Sequence, residues 1–186
     1  FSNIATGFVM AGFYVGIFIG SILVPRILAN VGHVRVFGAM SAIASSAILI
    51  HAAFVDPLLW AVMRILTGFS FAGMYIVCES WLNDKATNET RGQLLSIYMI
   101  INMGGMSLGQ VMISFGEDGG YGLFLLASVM VSMAVVPILI TVGKAPEFDT
   151  PERLGFRRLY QISPLAVMGM ALTGAATAMI FGMGPI

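Results

Sequence analysis

Trp60-Ala61-Val62-Met63-Arg64-Ile65-Leu66-Thr67-Gly68-Phe69-Ser70-Phe71-Ala72, running on to Glu79-Ser80-Trp81, is an apolar run with one arginine, one glutamate and a tryptophan near each end. As an α-helix rising about 1.5 Å per residue, it sets the two tryptophans roughly 32 Å apart, close to the roughly 30 Å hydrocarbon thickness of a bilayer. Tryptophan favours both membrane interfaces. A spanning helix that holds charge between its aromatic belts is a functional element by default, because an ionised side chain in lipid is expensive.

The composition agrees with a membrane chain. Hydrophobic residues make up 58% of it and charged residues 10%, with a mean hydropathy of +0.93, against roughly 25% charged in soluble domains. One cysteine and two histidines leave almost no material for a disulfide framework or a His/Cys metal cage. Cys78 reads as a small apolar helix residue. No metal and no cofactor are expected, and a formal net charge of zero points away from nucleic acid.

Apolar runs long enough to span a membrane occur at Ile4–Val24, Val34–Phe54, Leu58–Leu82, Leu94–Phe115, Tyr121–Val142 and Leu165–Ile186. Six helices are expected, separated by Pro25-Arg26, Asp56-Pro57, the polar cluster Asn83–Arg91, Gly116–Gly120 and a connector from Gly143 to Ser163. If the spans alternate, Arg26, Arg35, Lys85, Arg91, Lys144, Arg153, Arg157 and Arg158 share one side, and His51, Asp56, Glu117 and Asp118 the other. The basic side is then cytoplasmic and Phe1 lies outside. With no initiating Met and no basic segment before the first apolar run, the chain reads as a fragment preceded by a further helix.

Gly12, Gly16 and Gly20 recur every fourth residue in the first helix and leave a flat strip for another backbone. Gly68 of the third helix joins this set of packing glycines. In the fourth helix Tyr98, Asn102, Gly105 and Gly109 fall within an arc of roughly 60° at 100° per residue. That stripe is either a packing face, closed by an interhelical hydrogen bond, or a cavity wall where Tyr98 and Asn102 meet a solute. Gly105-Met106-Ser107-Leu108-Gly109 also has the form of a nucleophile elbow, but the elbow needs a strand, a strained turn and a helix, and this match sits in mid-helix. His33 and His51 read as interfacial residues at loop edges.

The helix order, the glycine strips and the third-helix signature resemble the major facilitator superfamily of secondary transporters. Arg64-Ile65-Leu66-Thr67-Gly68, followed by Ala72 and Gly73, is similar to its fourth-helix motif, with Thr67 where Gln is common. Arg26–Arg35 occupies the place of its cytoplasmic loop motif, with Pro25, Ala29 and Asn30 in place of the first Gly, the Asp and the Arg. Glu79-Ser80, Arg91–Met99 and Phe181-Gly182-Met183-Gly184-Pro185 resemble the YcaD-type branch of bacterial carriers.

The resemblance implies an all-α membrane protein whose visible helices are the second to seventh of twelve. Residues 1–142 would be the first bundle without its first helix, 143–163 a cytoplasmic linker, and 164–186 the first helix of a second bundle. Its partners would be the bilayer, a small solute, protons or another coupling ion, and the remainder of its own carrier. The compartment would be the bacterial inner membrane.

On this reading Arg64, Thr67, Tyr98 and Asn102 are candidates for substrate binding or coupling. Arg64 also lies within snorkelling reach of the Trp60 interface, so both readings stay open. Arg35, Glu79, Asp84 and Arg91 form a candidate cytoplasmic latch, with Glu79 pairing Arg35 or Arg91. Gly182, Gly184 and Pro185 form a candidate outer hinge, because Gly and Pro weaken helical hydrogen bonding. The rival readings are a six-helix intramembrane serine protease and a non-transporting structural membrane protein.

Overall fold

The computed structural model describes residues 2–115, 121–140 and 156–182. Their elements are all helices: α1 (Asn3–Val31), α2 (His33–Ala53), α3 (Pro57–Lys85), α4 (Arg91–Ser114), α5 (Tyr121–Ile140), α6 (Phe156–Ile162) and α7 (Pro164–Gly182). The first five are long and apolar enough to cross a membrane, and α7 is a shorter apolar helix. The chain divides into two compact units, Phe1–Asp149 and Thr150–Ile186.

Helix boundaries follow local chemistry. Ser2 caps α1, its hydroxyl accepting from the Ala5 N–H at 3.2 Å. Asp56 caps α3 through the Leu59 N–H at 2.8 Å, with Pro57 in the first turn, where its missing donor costs nothing. Between α3 and α4, Thr87 and Thr90 close a turn through each other's hydroxyls and backbone N–H groups. The Thr87 hydroxyl also holds the exposed Glu89 carboxyl below its ordinary range.

The expected break at Pro25-Arg26 does not occur. α1 continues through Pro25 to Val31, so Arg26 is helical and Arg35 sits in the first turn of α2. In lipid a continuous helix satisfies every backbone group except the bond that proline cannot make, and a loop would leave many open. Val24 and Leu28, on either side of Pro25, are fully buried. The turn contracts to Gly32 alone, at φ +89°, a left-handed conformation that favours glycine. Its N–H caps α1 by donating to the Leu28 carbonyl at 2.9 Å.

In unit 1, α3 is the central helix, packed by α1 and α2, and α2 packs in turn on α5. The α1–α3 contact is a glycine seam. A Cβ on Gly12 would lie 2.9 Å from the Ala61 carbonyl oxygen, and one on Gly20 would lie 2.7 Å from Ala72 Cβ. A Cβ on Gly16 would meet the backbone of Ile65 and Phe69, and one on Gly68 the Phe13 carbonyl. Backbones therefore touch directly, which is how helices associate where the surroundings are as apolar as their side chains. Beside the seam, Val24, Leu28, Val36, Phe37, Met40 and Val77 form the apolar core.

The α2–α5 contact is polar at its centre. Ser45 Oγ lies 2.7 Å from Ser128 Oγ and 2.9 Å from Ser132 Oγ, and the Ser128 hydroxyl donates to the Ser45 carbonyl at 3.3 Å. By contrast α4 buries no residue among those described. Gly105 and Gly109 have nothing within 4 Å of a would-be Cβ, so they form no close helix contact among the described residues. They line instead an open apolar cavity of about 540 Å3 between α4 and α5.

In unit 2, the stretch expected to be a linker contains α6, which carries Arg157 and Arg158. Ser163 separates α6 from α7 and caps the latter, its hydroxyl accepting from the Ala166 N–H at 3.3 Å. Gly182 is the last residue of α7, and Gly184 and Pro185 lie outside the described residues.

Gly16→Ala should destabilise the protein by about 1–3 kcal/mol, the usual cost of overpacking. Gly105→Ala should leave stability unchanged or raise it by up to about 1 kcal/mol through helix propensity. Unfolding in detergent measures both, and equal effects would contradict the seam.

Candidate functional site

Four polar side chains, Tyr75 and Glu79 of α3 and Tyr98 and Asn102 of α4, meet in one groove. At 100° per residue, Arg64, Gly68, Tyr75 and Glu79 share a stripe of α3. Opposite its Glu79 end, α4 presents Tyr98 and Asn102. The Tyr98 hydroxyl donates to Glu79 Oε1 at 3.3 Å, and Asn102 Nδ2 donates to Tyr75 Oη at 3.4 Å. Both bonds exceed the usual lengths, so they hold α4 weakly. Around them lies a cavity of about 400 Å3, completed by Ile17 and Ser21 of α1 and by Met99 and Met103 of α4.

This arrangement unites residues that the sequence assigned to different roles. Tyr98 and Asn102, candidates for solute contact, sit with Glu79, a latch candidate. The latch pairing does not form here. Glu79 accepts from Tyr98, and the ion pair among the described residues joins Asp84 to Lys85 at 3.4 Å. Arg91 opens α4 seven residues before Tyr98, about 10 Å along the axis. The residue level with Glu79 is therefore Tyr98.

Arg64 and Thr67 lie outside the groove. Thr67 is buried and spends its hydroxyl within the helix, donating to the Met63 carbonyl at 2.8 Å. Arg64 is half-buried, with its Cβ facing Gly12 across the seam and its Nε buried without a hydrogen-bond partner among the described residues.

The histidines are not interfacial loop residues. His33 is 1% exposed, lies 2.9 Å from Ser80 Oγ through Nε2, and stacks on Trp81 with ring centroids 5.6 Å apart. His51 is 5% exposed, donates from Nδ1 to the Ala47 carbonyl at 2.7 Å, and meets the Trp60 ring edge-on. The Trp60 indole N–H donates to the Phe54 carbonyl at 2.6 Å. Each tryptophan thus packs a buried histidine at one end of the bundle. Glycine is the only residue between α1 and α2, so no loop is left to expose His33.

Ser107 donates to the Met103 carbonyl at 2.9 Å inside α4. Its position in mid-helix excludes the strand-turn-helix geometry of a nucleophile elbow.

A family model for the Major Facilitator Superfamily matches residues 1–186. The chain belongs to the Major Facilitator Superfamily. An uncharacterized MFS-type transporter of Enterobacter sp. is 25% identical over 182 residues, covering 97% of this chain and 48% of that protein. MFS-type transporters named YcaD from Escherichia fergusonii and Salmonella arizonae are 21% and 24% identical, with the same coverage of each chain. The chain thus spans about half the length of these relatives. Its membership in the superfamily accounts for the multiple membrane-length helices, and the chain is a multi-pass membrane protein of a transporter family rather than an enzyme.

Among the groove residues, Tyr75 escaped the sequence reading. The signal was there: it stands one turn before Glu79 on the same stripe. A double-mutant cycle of Glu79→Gln and Tyr98→Phe should give a coupling of about 0.6 kcal/mol or less, the average for interhelical hydrogen bonds in membranes. A coupling above about 2 kcal/mol would make the joint a lock and refute the weak attachment of α4.

Proposed function

We propose that this chain forms part of a secondary carrier that moves a small solute across the membrane by alternating access, coupled to a proton or ion gradient. The observation that carries the reading is the contrast in how α3 is held. On one side the glycine seam fixes it to α1 backbone to backbone. On the other, two long hydrogen bonds tie it to α4 across an open groove. A carrier needs both a close-packed unit that moves as one body and a contact that parts at low cost.

The groove is the solute-facing element, with Tyr75, Glu79, Tyr98 and Asn102 as its contacts. Arg64 is the coupling residue. A guanidinium at membrane depth costs from about 3 kcal/mol upwards, and a side chain retained only for packing would not need that charge. The Lys85 end of α3 is the cytoplasmic end, by the distribution of basic residues. The names of the relatives, MFS-type transporters, agree with this reading.

The test uses the full-length protein in proteoliposomes, with a pH-sensitive dye sealed inside and a panel of small solutes outside. Solute-dependent proton movement is expected, and Arg64→Ala should reduce it at least about tenfold, equivalent to about 1.4 kcal/mol. Wild-type rates in Arg64→Ala would remove the coupling role. Uptake of a solute without movement of any ion would remove coupling altogether.

A further inference from the structure

We propose that the α3–α4 groove binds an organic cation, a protonated amine carried on a compact apolar body. The inference rests on reading the groove as the solute site and adds the chemical class of the solute. It starts from charge. Glu79 is the one ionisable carboxylate among the described residues lining the cavity, and no lysine, arginine or histidine lines it with Glu79. Glu79 is exposed to the groove and has no cationic partner among the described residues, and its carboxylate accepts one long hydrogen bond, from Tyr98. An anionic solute would meet this carboxylate with nothing to offset the repulsion, whereas an ammonium would supply the missing countercharge.

The remaining walls select the body. Tyr75 and Tyr98 bring two aromatic rings to the cavity beside the carboxylate. Tyr75 continues an aromatic row, with the Phe71 centroid at 6.4 Å and Phe13 a further 6.1 Å from Phe71. Cations are attracted to aromatic faces within about 6 Å of the centroid, and Tyr75 stands one turn from Glu79, so one ammonium can use both. Ile17, Ile76, Met99 and Met103 supply apolar contact, the methionines adapting to irregular shapes. Most of the cavity wall is apolar, which suits a sugar or other polyol poorly. A volume of about 400 Å3 falls in the range of roughly 300–1,000 Å3 that holds small ligands.

The test compares three probes of one shape on the detergent-solubilised full-length protein by isothermal titration calorimetry: 4-phenylbutylammonium, 4-phenylbutanol and 4-phenylbutyrate. The amine is expected to bind at least about tenfold more tightly than the alcohol and the carboxylate more weakly than either, tenfold being about 1.4 kcal/mol. Glu79→Gln should abolish the preference for the amine, weakening the amine far more than the alcohol. Tyr75→Leu should weaken the amine more than the alcohol, and circular dichroism checks that both variants remain folded. Equal binding of amine and alcohol, an amine preference that survives Glu79→Gln, a preference for the carboxylate, or no binding by any probe would each overturn the proposal. The transport reading stands or falls separately. Uptake of another solute that is indifferent to Glu79→Gln would sink the cation site and the place of Glu79 among the solute contacts but leave the carrier reading standing, and amine binding without any transport would sink the carrier reading alone.

Discussion

The approach of α1 to α3 sets the geometry of everything else in unit 1. In lipid the hydrophobic effect gives helices no reason to associate, so close van der Waals contact has to do it. Gly12, Gly16 and Gly20 on one helix and Gly68 on the other remove the Cβ atoms that would keep the backbones apart. The consequence reaches beyond stability. With α1 pressed against α3, the Arg64 stem is trapped beside Gly12, and Ile17 and Ser21 form a wall of the groove that α3 shares with α4.

Around that seam the bundle uses polar contacts of two grades. The Ser45 hydroxyl lies within 2.9 Å of those of Ser128 and Ser132 and joins α2 to α5 inside the protein. His33 with Ser80 and Trp81 does the same between α2 and α3 at one end, and His51 with Trp60 at the other. Contacts to α4 are longer and lie on exposed side chains. Hydrogen-bond strength falls with length, so the least tightly held helix is also the one that walls the groove.

Length and apolar runs made the spans legible in the sequence, and spacing alone marked the α1 glycine strip, because both signals are local and periodic. Pro25 misled for the opposite reason: its local tendency to end a helix was outweighed by the membrane's demand for satisfied backbone and by the packing of Val24 and Leu28. Gly105 and Gly109 share a spacing with the seam glycines, yet the same pattern on α4 faces open cavity. A glycine stripe says that a backbone can approach and leaves unsaid whether one does. The grouping of Tyr75 and Glu79 with Tyr98 and Asn102 depends on the register of α4 against α3, which no single-helix pattern encodes.

The length of α3 also separates the two charges on its groove stripe. Arg64 and Glu79 share a stripe, but fifteen residues of helix put them about 22 Å apart. With an effective dielectric near 20, their attraction over that distance is about 0.7 kcal/mol, less than one good hydrogen bond to a charged group. Neither charge can hold the other, and a solute in the groove sees Glu79 with Arg64 only as a distant background. Direct electrostatics is therefore too weak to link events at the two ends. Any link between them has to pass through displacement of α3 itself, and the seam binds α3 to α1 from Ala61 to Ala72. A Cβ placed at Gly16 or Gly68 would thus disturb both ends at once, although it touches neither charge.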